Sequence, residues 1–186
     1  MKNEMHPLPQ VLRAAEINRD HFQYHLPAIE RAFGGGITDR GTGRGSGTGS
    51  PRMVTPEAAA GLAIGFRLVA QGVPPADAFR IGLAFVFFGE TGDGHRGIAP
   101  PEWIVQRVPG REFPEMFGDT LAVVIPDAMR NRPGMGCAYA FTPERVLTPS
   151  ALKDWAMLHD AGRSAVLILN ITEVLRGLRE GLEVLN

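Results

Sequence analysis

The sequence predicts an α+β chain, a largely helical N-terminal half followed by a small three-stranded unit, and three observations carry that expectation. Val11 to Leu26 and Thr55 to Gly89 place apolar residues at helical spacing behind residues suited to capping. Thr120 to Ile125, Cys137 to Phe141 and Ser164 to Leu169 are short apolar runs of strand length. A glycine-rich tract, Gly34 to Ser50, and a proline-rich one, residues 90 to 119, interrupt the periodic segments. With 186 residues, 44% of them hydrophobic, the chain can bury a core in one ordinary domain or two small ones. The composition shift near Gly89 predicts domains at 1–89 and 90–186.

Residues 1 to 9 are polar, with Pro7 and Pro9 around Leu8, and predict a frayed arm. Val11, Leu12, Ala15, Ile17, Phe22 and Leu26 then predict two short helices meeting at a turn around Ile17, Asn18 and Arg19. Asn18 suits the N-cap of the second helix, because its side-chain oxygen accepts an N–H that the first turn leaves unpaired. Pro27 predicts an end or a kink there, with a further turn or two stopped by Gly34, Gly35 and Gly36. Two helices joined this way form either a helix-turn-helix or an ordinary helical hairpin.

Gly34 to Ser50 has too few apolar side chains to offset its ordering entropy, so by itself it predicts a flexible loop. It lacks the lysine of a phosphate-binding loop and the glycine spacing of a dinucleotide site. Arg40, Arg44 and Arg52 suit a wing that touches a phosphate backbone, and the alternative is a plain linker. Thr55, Pro56 and Glu57 read as N-cap, first-position proline and first-turn acid of a helix that runs to Gly72. After Val73, Pro74 and Pro75, a second helix runs to Gly89. Leu62, Phe66 and Val69 on the first, and Phe79, Leu83 and Val86 on the second, each share a face.

The run Ala14, Ala15, Glu16, Ile17, Asn18, Arg19, Asp20, His21, Phe22 resembles the helix-turn-helix of bacterial transcription regulators, in which a glycine usually holds the turn. Glu16 stands at that glycine, so it must take a positive φ or mark another turn geometry. Leu12 stands where a small alanine lets the helices approach, which predicts a wider gap. Together with the glycine-rich tract, Met53 to Glu57, and the run from Leu68 through Gly72 to Ala78, residues 8 to 90 are similar to the MerR-like winged-helix DNA-binding domain. The chain departs from that family in its long glycine-rich wing, 34–54, and in having no cysteine where the metal-sensing members bind metal. The resemblance implies an N-terminal winged helix-turn-helix with a helical hairpin, and a transcriptional regulator contacting double-stranded DNA through Asn18, Arg19, Asp20, Gln23, Tyr24, Arg40, Arg44 and Arg52. It also implies a homodimer, since one such reader spans few base pairs.

In the second half, Trp103 and Ile104 are expected to dock the 90–119 connector on a core. The Cys137–Phe141 strand is expected antiparallel to the Thr120–Ile125 strand. Thr148 to Ser150 should cap a helix ending near Gly162. The continuous apolar run Ser164 to Leu169 predicts a strand covered on both faces. The chain closes with a helix from about Ile171 to Leu185, whose Leu175, Leu178, Leu182 and Leu185 form a seam. That seam is expected to close over the small sheet, with pairing to a second copy as the alternative. This half suits a dimerisation, sensing or interaction module.

Chemistry-bearing groups are sparse. His21 and His25 are four apart on one helix face, and Asp93 and His95 lie in a polar loop. Nothing in the sequence joins the two pairs, so two surface or boundary histidines are expected rather than a metal site. No serine sits in a nucleophile elbow, Cys137 falls within an apolar strand, and Asp119 and Asp127 suit turns at strand ends. No enzyme, cofactor or metal is expected. The formal net charge is −1, so nucleic-acid binding would need a local basic patch. A single cysteine excludes an intramolecular disulfide framework. The N-terminus has no apolar leader-like run and no segment approaches bilayer length, which predicts a soluble cytoplasmic protein with no membrane partner. A small-molecule effector stays unspecified. The alternative function is a non-enzymatic interaction adaptor that keeps the helical fold without a DNA-facing surface.

Overall fold

The computed structural model describes residues 5–34, 52–87, 108–113, 118–124, 137–141 and 167–185, of which 137–141 are described by their backbone alone. It mixes helix and antiparallel sheet, in line with an α+β class. The chain divides into two compact units, residues 1–87 with 174–186, and residues 88–173. No helix among the described residues is long and apolar enough to cross a membrane. Trp103 and Ile104, expected to dock the connector, and the helix expected after Thr148 fall outside the described residues.

The first unit begins with a two-residue strand β1 (His6–Pro7), which pairs antiparallel with β2 (Met53–Val54) in the register His6 to Val54 and Pro7 to Met53. The frayed arm expected for residues 1 to 9 is therefore corrected from His6 onward. Leu8 N–H also donates to the Arg52 carbonyl at 2.7 Å, so the arm has a backbone partner 44 residues away. Helix α1 (Leu8–Ala14) starts at once, with proline in its first turn where no intrahelical N–H is needed.

Helix α1 ends in a Schellman motif. Ile17 N–H donates to the Leu12 carbonyl at 2.7 Å and Glu16 N–H to the Arg13 carbonyl at 3.1 Å. Glu16 supplies the left-handed residue at φ 56°, the only positive φ outside glycine among the described residues. Of the two outcomes open at Glu16, a positive φ or another turn geometry, the positive φ is the one present. Helix α2 (Arg19–Phe33) follows, so the turn lies at Ala15–Asn18 and Arg19 opens the helix rather than ending the turn. Asn18 caps it as expected, its Oδ1 accepting from Asp20 N–H at 2.7 Å.

Pro27 does not stop α2. The helix continues to Phe33 and ends at Gly34, φ 66°. Pro27 removes a donor for the Gln23 carbonyl, a defect of about 3 kcal/mol in an isolated helix. Beyond it Ile29 is fully buried and Ala28, Ala32 and Phe33 pack against the same core, and this burial outweighs the defect.

Helices α3 (Pro56–Ala70) and α4 (Pro75–Phe87) form the expected hairpin. Thr55 Oγ1 accepts from Ala58 N–H at 3.2 Å, and a second Schellman motif closes α3 with Gly72 at φ 90°. Their crossing is close enough that a Cβ at Gly82 would collide with the Gly61 carbonyl. Leu62 and Phe79 are fully buried in a core shared with Val11, Phe22 and Ile29.

In the second unit, β3 (Thr120–Val124) is the centre of a three-stranded antiparallel sheet, flanked by β4 (Cys137–Phe141) and β5 (Leu167–Asn170). The expected antiparallel pairing of the first two strands holds, with Thr120 opposite Phe141 and Val124 opposite Cys137. Every β3 residue is buried. β5 is an edge strand with Ile168 exposed, so the cover expected on both its faces is corrected, whereas every residue of the central strand is buried. Thr120 N–H donates to Thr172 Oγ1 at 2.9 Å, and Asn170 Nδ2 donates to Asp119 Oδ2 at 2.7 Å, giving Asp119 a structural role at the strand end.

The last helix, α5 (Ile171–Val184), contributes Leu178 and Leu182 to the core of the first unit, with Val174 and Leu185 packed against it. A Cβ added at Gly181 would lie 2.8 Å from Ala14 Cα. The expectation that this seam closes over the sheet is corrected for these leucines. An apolar stripe specifies that a face is covered; which partner covers it is decided by α1 and the rest of the helical core.

Candidate nucleic-acid interface

Burial on α2 separates two faces. Phe22, His25 and Ile29 point inward, while Arg19, Asp20, Gln23 and Tyr24 are exposed, Tyr24 at 79%. The spacing follows from 3.6 residues per turn, with positions 22, 25 and 29 on one side and 19, 20, 23 and 24 on the other. Asn18 and the first-turn Asp20 anchor the helix start, where an acid is favoured by the helix dipole.

The inward face carries an aromatic cluster. Phe66 lies 5.1 Å from Phe79 and 6.4 Å from Phe22 between ring centroids. His25 sits among them, 5.9 Å from Phe66 and 6.2 Å from Phe79, with the Tyr24 ring 4.9 Å away. Burial lowers the His25 pKa and the neighbouring His21, with ring centroids 5.8 Å apart, lowers it further. His25 is therefore a buried, neutral-favouring residue, correcting the expectation of two surface or boundary histidines. Asp93 and His95 lie outside the described residues.

An open cleft of about 620 Å³ lies beside the start of α2. Leu8, Leu12, Ile17 and Phe22 form its apolar lining, and Arg13, Arg19, Gln23 and Arg52 join them. Arg52 reaches the cleft because the β1–β2 pair holds the return from the glycine-rich tract against the start of α1. Among the described residues no carboxylate forms an ion pair with Arg13, Arg19 or Arg52; the nearby acid Glu16 pairs with Arg67 instead, and Asp77 with Arg80.

Of the eight positions anticipated on DNA, the structure gathers Arg19, Gln23 and Arg52 at one cleft and leaves Asn18, Asp20 and Tyr24 on the adjoining turn and helix. Arg40 and Arg44 lie outside the described residues. Sequence reasoning missed Arg13. The sequence carried no signal for it, because only the folded chain brings Arg13 to the cleft of Arg19 and Arg52. No protein-family model matches the chain, and no curated protein matches it.

Proposed function

We propose that this protein is a DNA-binding transcriptional regulator that uses α1 and α2 as a helix-turn-helix, residues 34–54 as a wing, and a homodimer to read a two-part site. The observation that carries the reading is the meeting of Arg13, Arg19 and Arg52, without carboxylate partners among the described residues, beside the exposed Gln23 and Tyr24. A chain of net charge −1 has no general attraction for DNA, so a local group of arginines is the feature the function requires. The β1–β2 pair supports the wing by returning the glycine-rich tract to the root of α1.

On this reading Arg19 and Gln23 contact base edges, in keeping with the bidentate geometry of Arg on guanine and Gln on adenine. Asp20 and Tyr24 adjoin them, Asn18 holds the helix start, and Arg40, Arg44 and Arg52 neutralise phosphates. The test is a salt-dependent titration of the full chain on random genomic fragments, with the bound pool sequenced. Arg19→Ala and Gln23→Ala should each reduce discrimination between sites by about 1–3 kcal/mol. Arg40→Ala, Arg44→Ala and Arg52→Ala should weaken binding to all sequences, each flattening the salt slope by about one unit because one phosphate is no longer neutralised. Wild-type site preference in both α2 variants would reject this recognition helix. A wild-type chain with no salt-dependent DNA binding would favour the adaptor reading.

A further inference from the structure

We propose that the cleft between α1 and α2 is a binding site for a small monoanion with an apolar body, such as a medium-chain or aromatic carboxylate, and that this ligand and DNA exclude one another. The cleft's volume, about 620 Å³, falls in the range of small-molecule sites, about 300–1,000 Å³. Its chemistry has two parts. Exposed Pro9, with the small accessible edges of Leu8, Leu12 and Ile17, offers hydrocarbon that gives no hydrogen bond to a polar ligand, while Phe22 itself is fully buried. Arg13, Arg19 and Arg52 add guanidinium groups that match a carboxylate in geometry and charge.

Charge complementarity selects the occupant. A neutral hydrocarbon would leave the arginines unused, and a strongly hydrated inorganic anion would leave the apolar lining unused. A cationic amphiphile would meet like charge. Neither acid near the α2 start lines the cleft: Glu16 is engaged with Arg67 at 2.7 Å, and Asp20 is exposed at the first turn. The ligand site stands without the DNA reading, whereas the exclusion rests on it, because Arg19 and Arg52 are the groups proposed to meet DNA.

The test titrates the full chain, without DNA, with decanoate and with decanol at submicellar concentrations, followed by backbone amide shifts and calorimetry. Decanoate should saturate, moving amides of residues 8–23 and of Arg52, and should bind at least tenfold more tightly than decanol. The Arg13→Ala/Arg52→Ala double variant should lose at least tenfold for decanoate and little for decanol, with circular dichroism and melting unchanged. Because Arg13 and Gln23 are exposed, Gln23→Glu gives a second check that does not threaten folding: it should weaken decanoate selectively. Equal binding of acid and alcohol, shifts confined to other surfaces, or unchanged affinity in both variants would overturn the site. In a separate arm, saturating decanoate should weaken DNA binding by wild type at least tenfold. Saturation of the cleft with DNA affinity unchanged would overturn the exclusion alone, and absence of DNA binding without decanoate would reject the proposed function while leaving the ligand result intact.

Discussion

Replacing Glu16 by glycine and, separately, by alanine isolates the backbone conformation that joins α1 to α2. Both substitutions remove the Glu16–Arg67 ion pair, so its contribution cancels between them. That contribution is small in any case: the side chains are 74% and 51% exposed, and screened surface pairs contribute about 0–1 kcal/mol. What differs is the residue at φ 56°. An L residue in the left-handed region costs about 1–2 kcal/mol. Glycine escapes that cost while losing about 0.5–1 kcal/mol to the greater freedom of its unfolded chain. Glu16→Gly should therefore be more stable than Glu16→Ala by about 0.5–1 kcal/mol, a melting difference of about 1–4 °C for a chain of this size.

Gly72, at φ 90° in the equivalent Schellman motif after α3, supplies the mirror experiment. Gly72→Ala should be destabilising, although space is open around it. The assay is urea denaturation followed by circular dichroism, repeated in 1 M NaCl, where the difference between wild type and Glu16→Ala should shrink but the glycine–alanine difference should persist. A Glu16→Gly variant no more stable than Glu16→Ala would refute the left-handed turn.

The docking of α5 is tested by two alanine substitutions on one helix: Gly177 has open space around its Cβ position, whereas a Cβ at Gly181 meets the Ala14 backbone. Gly177→Ala should stabilise by about 0.5–1 kcal/mol and Gly181→Ala should destabilise by about 1–3 kcal/mol, read from thermal unfolding; equal effects would reject the close approach of α5 to α1. His25 makes stability depend on pH. Its folded pKa lies below the unfolded value of about 6.5, so the unfolded chain binds more protons in that window, and stability is retained above about pH 6.5 and falls as pH drops toward the folded pKa. Its contribution cannot exceed about 1.4 kcal/mol per pH unit, and urea midpoints should fall less between pH 7 and pH 5 in His25→Phe than in wild type; identical pH profiles would refute the role of His25.

Local chemistry was legible in the residues. Asn18 and Thr55 cap the helices they were expected to cap, Gly34 ends α2, and the pairing of β3 with β4 follows from two short apolar runs. Each depends on groups a few residues apart or on side-chain patterns within one element. At Glu16 the sequence left a positive φ and another turn geometry both open, and the structure takes the first. The fate of Pro27 was not legible, since the helix propensity of its segment is local while the burial of Ile29 is not.

The destination of α5 and the grouping of arginines belong to the tertiary structure for the same reason. The leucine stripe of α5 is apolar whichever surface covers it, and only close packing with α1 and the helical core selects one. Arg13, Arg19 and Arg52 are separate cations in the sequence, and the β1–β2 pair and the α1–α2 turn bring them to one cleft. Residue types determine which faces must be buried and which backbone groups must be paired. The partner that meets those needs is chosen by through-space geometry, which a linear pattern of hydrophobicity and charge does not encode.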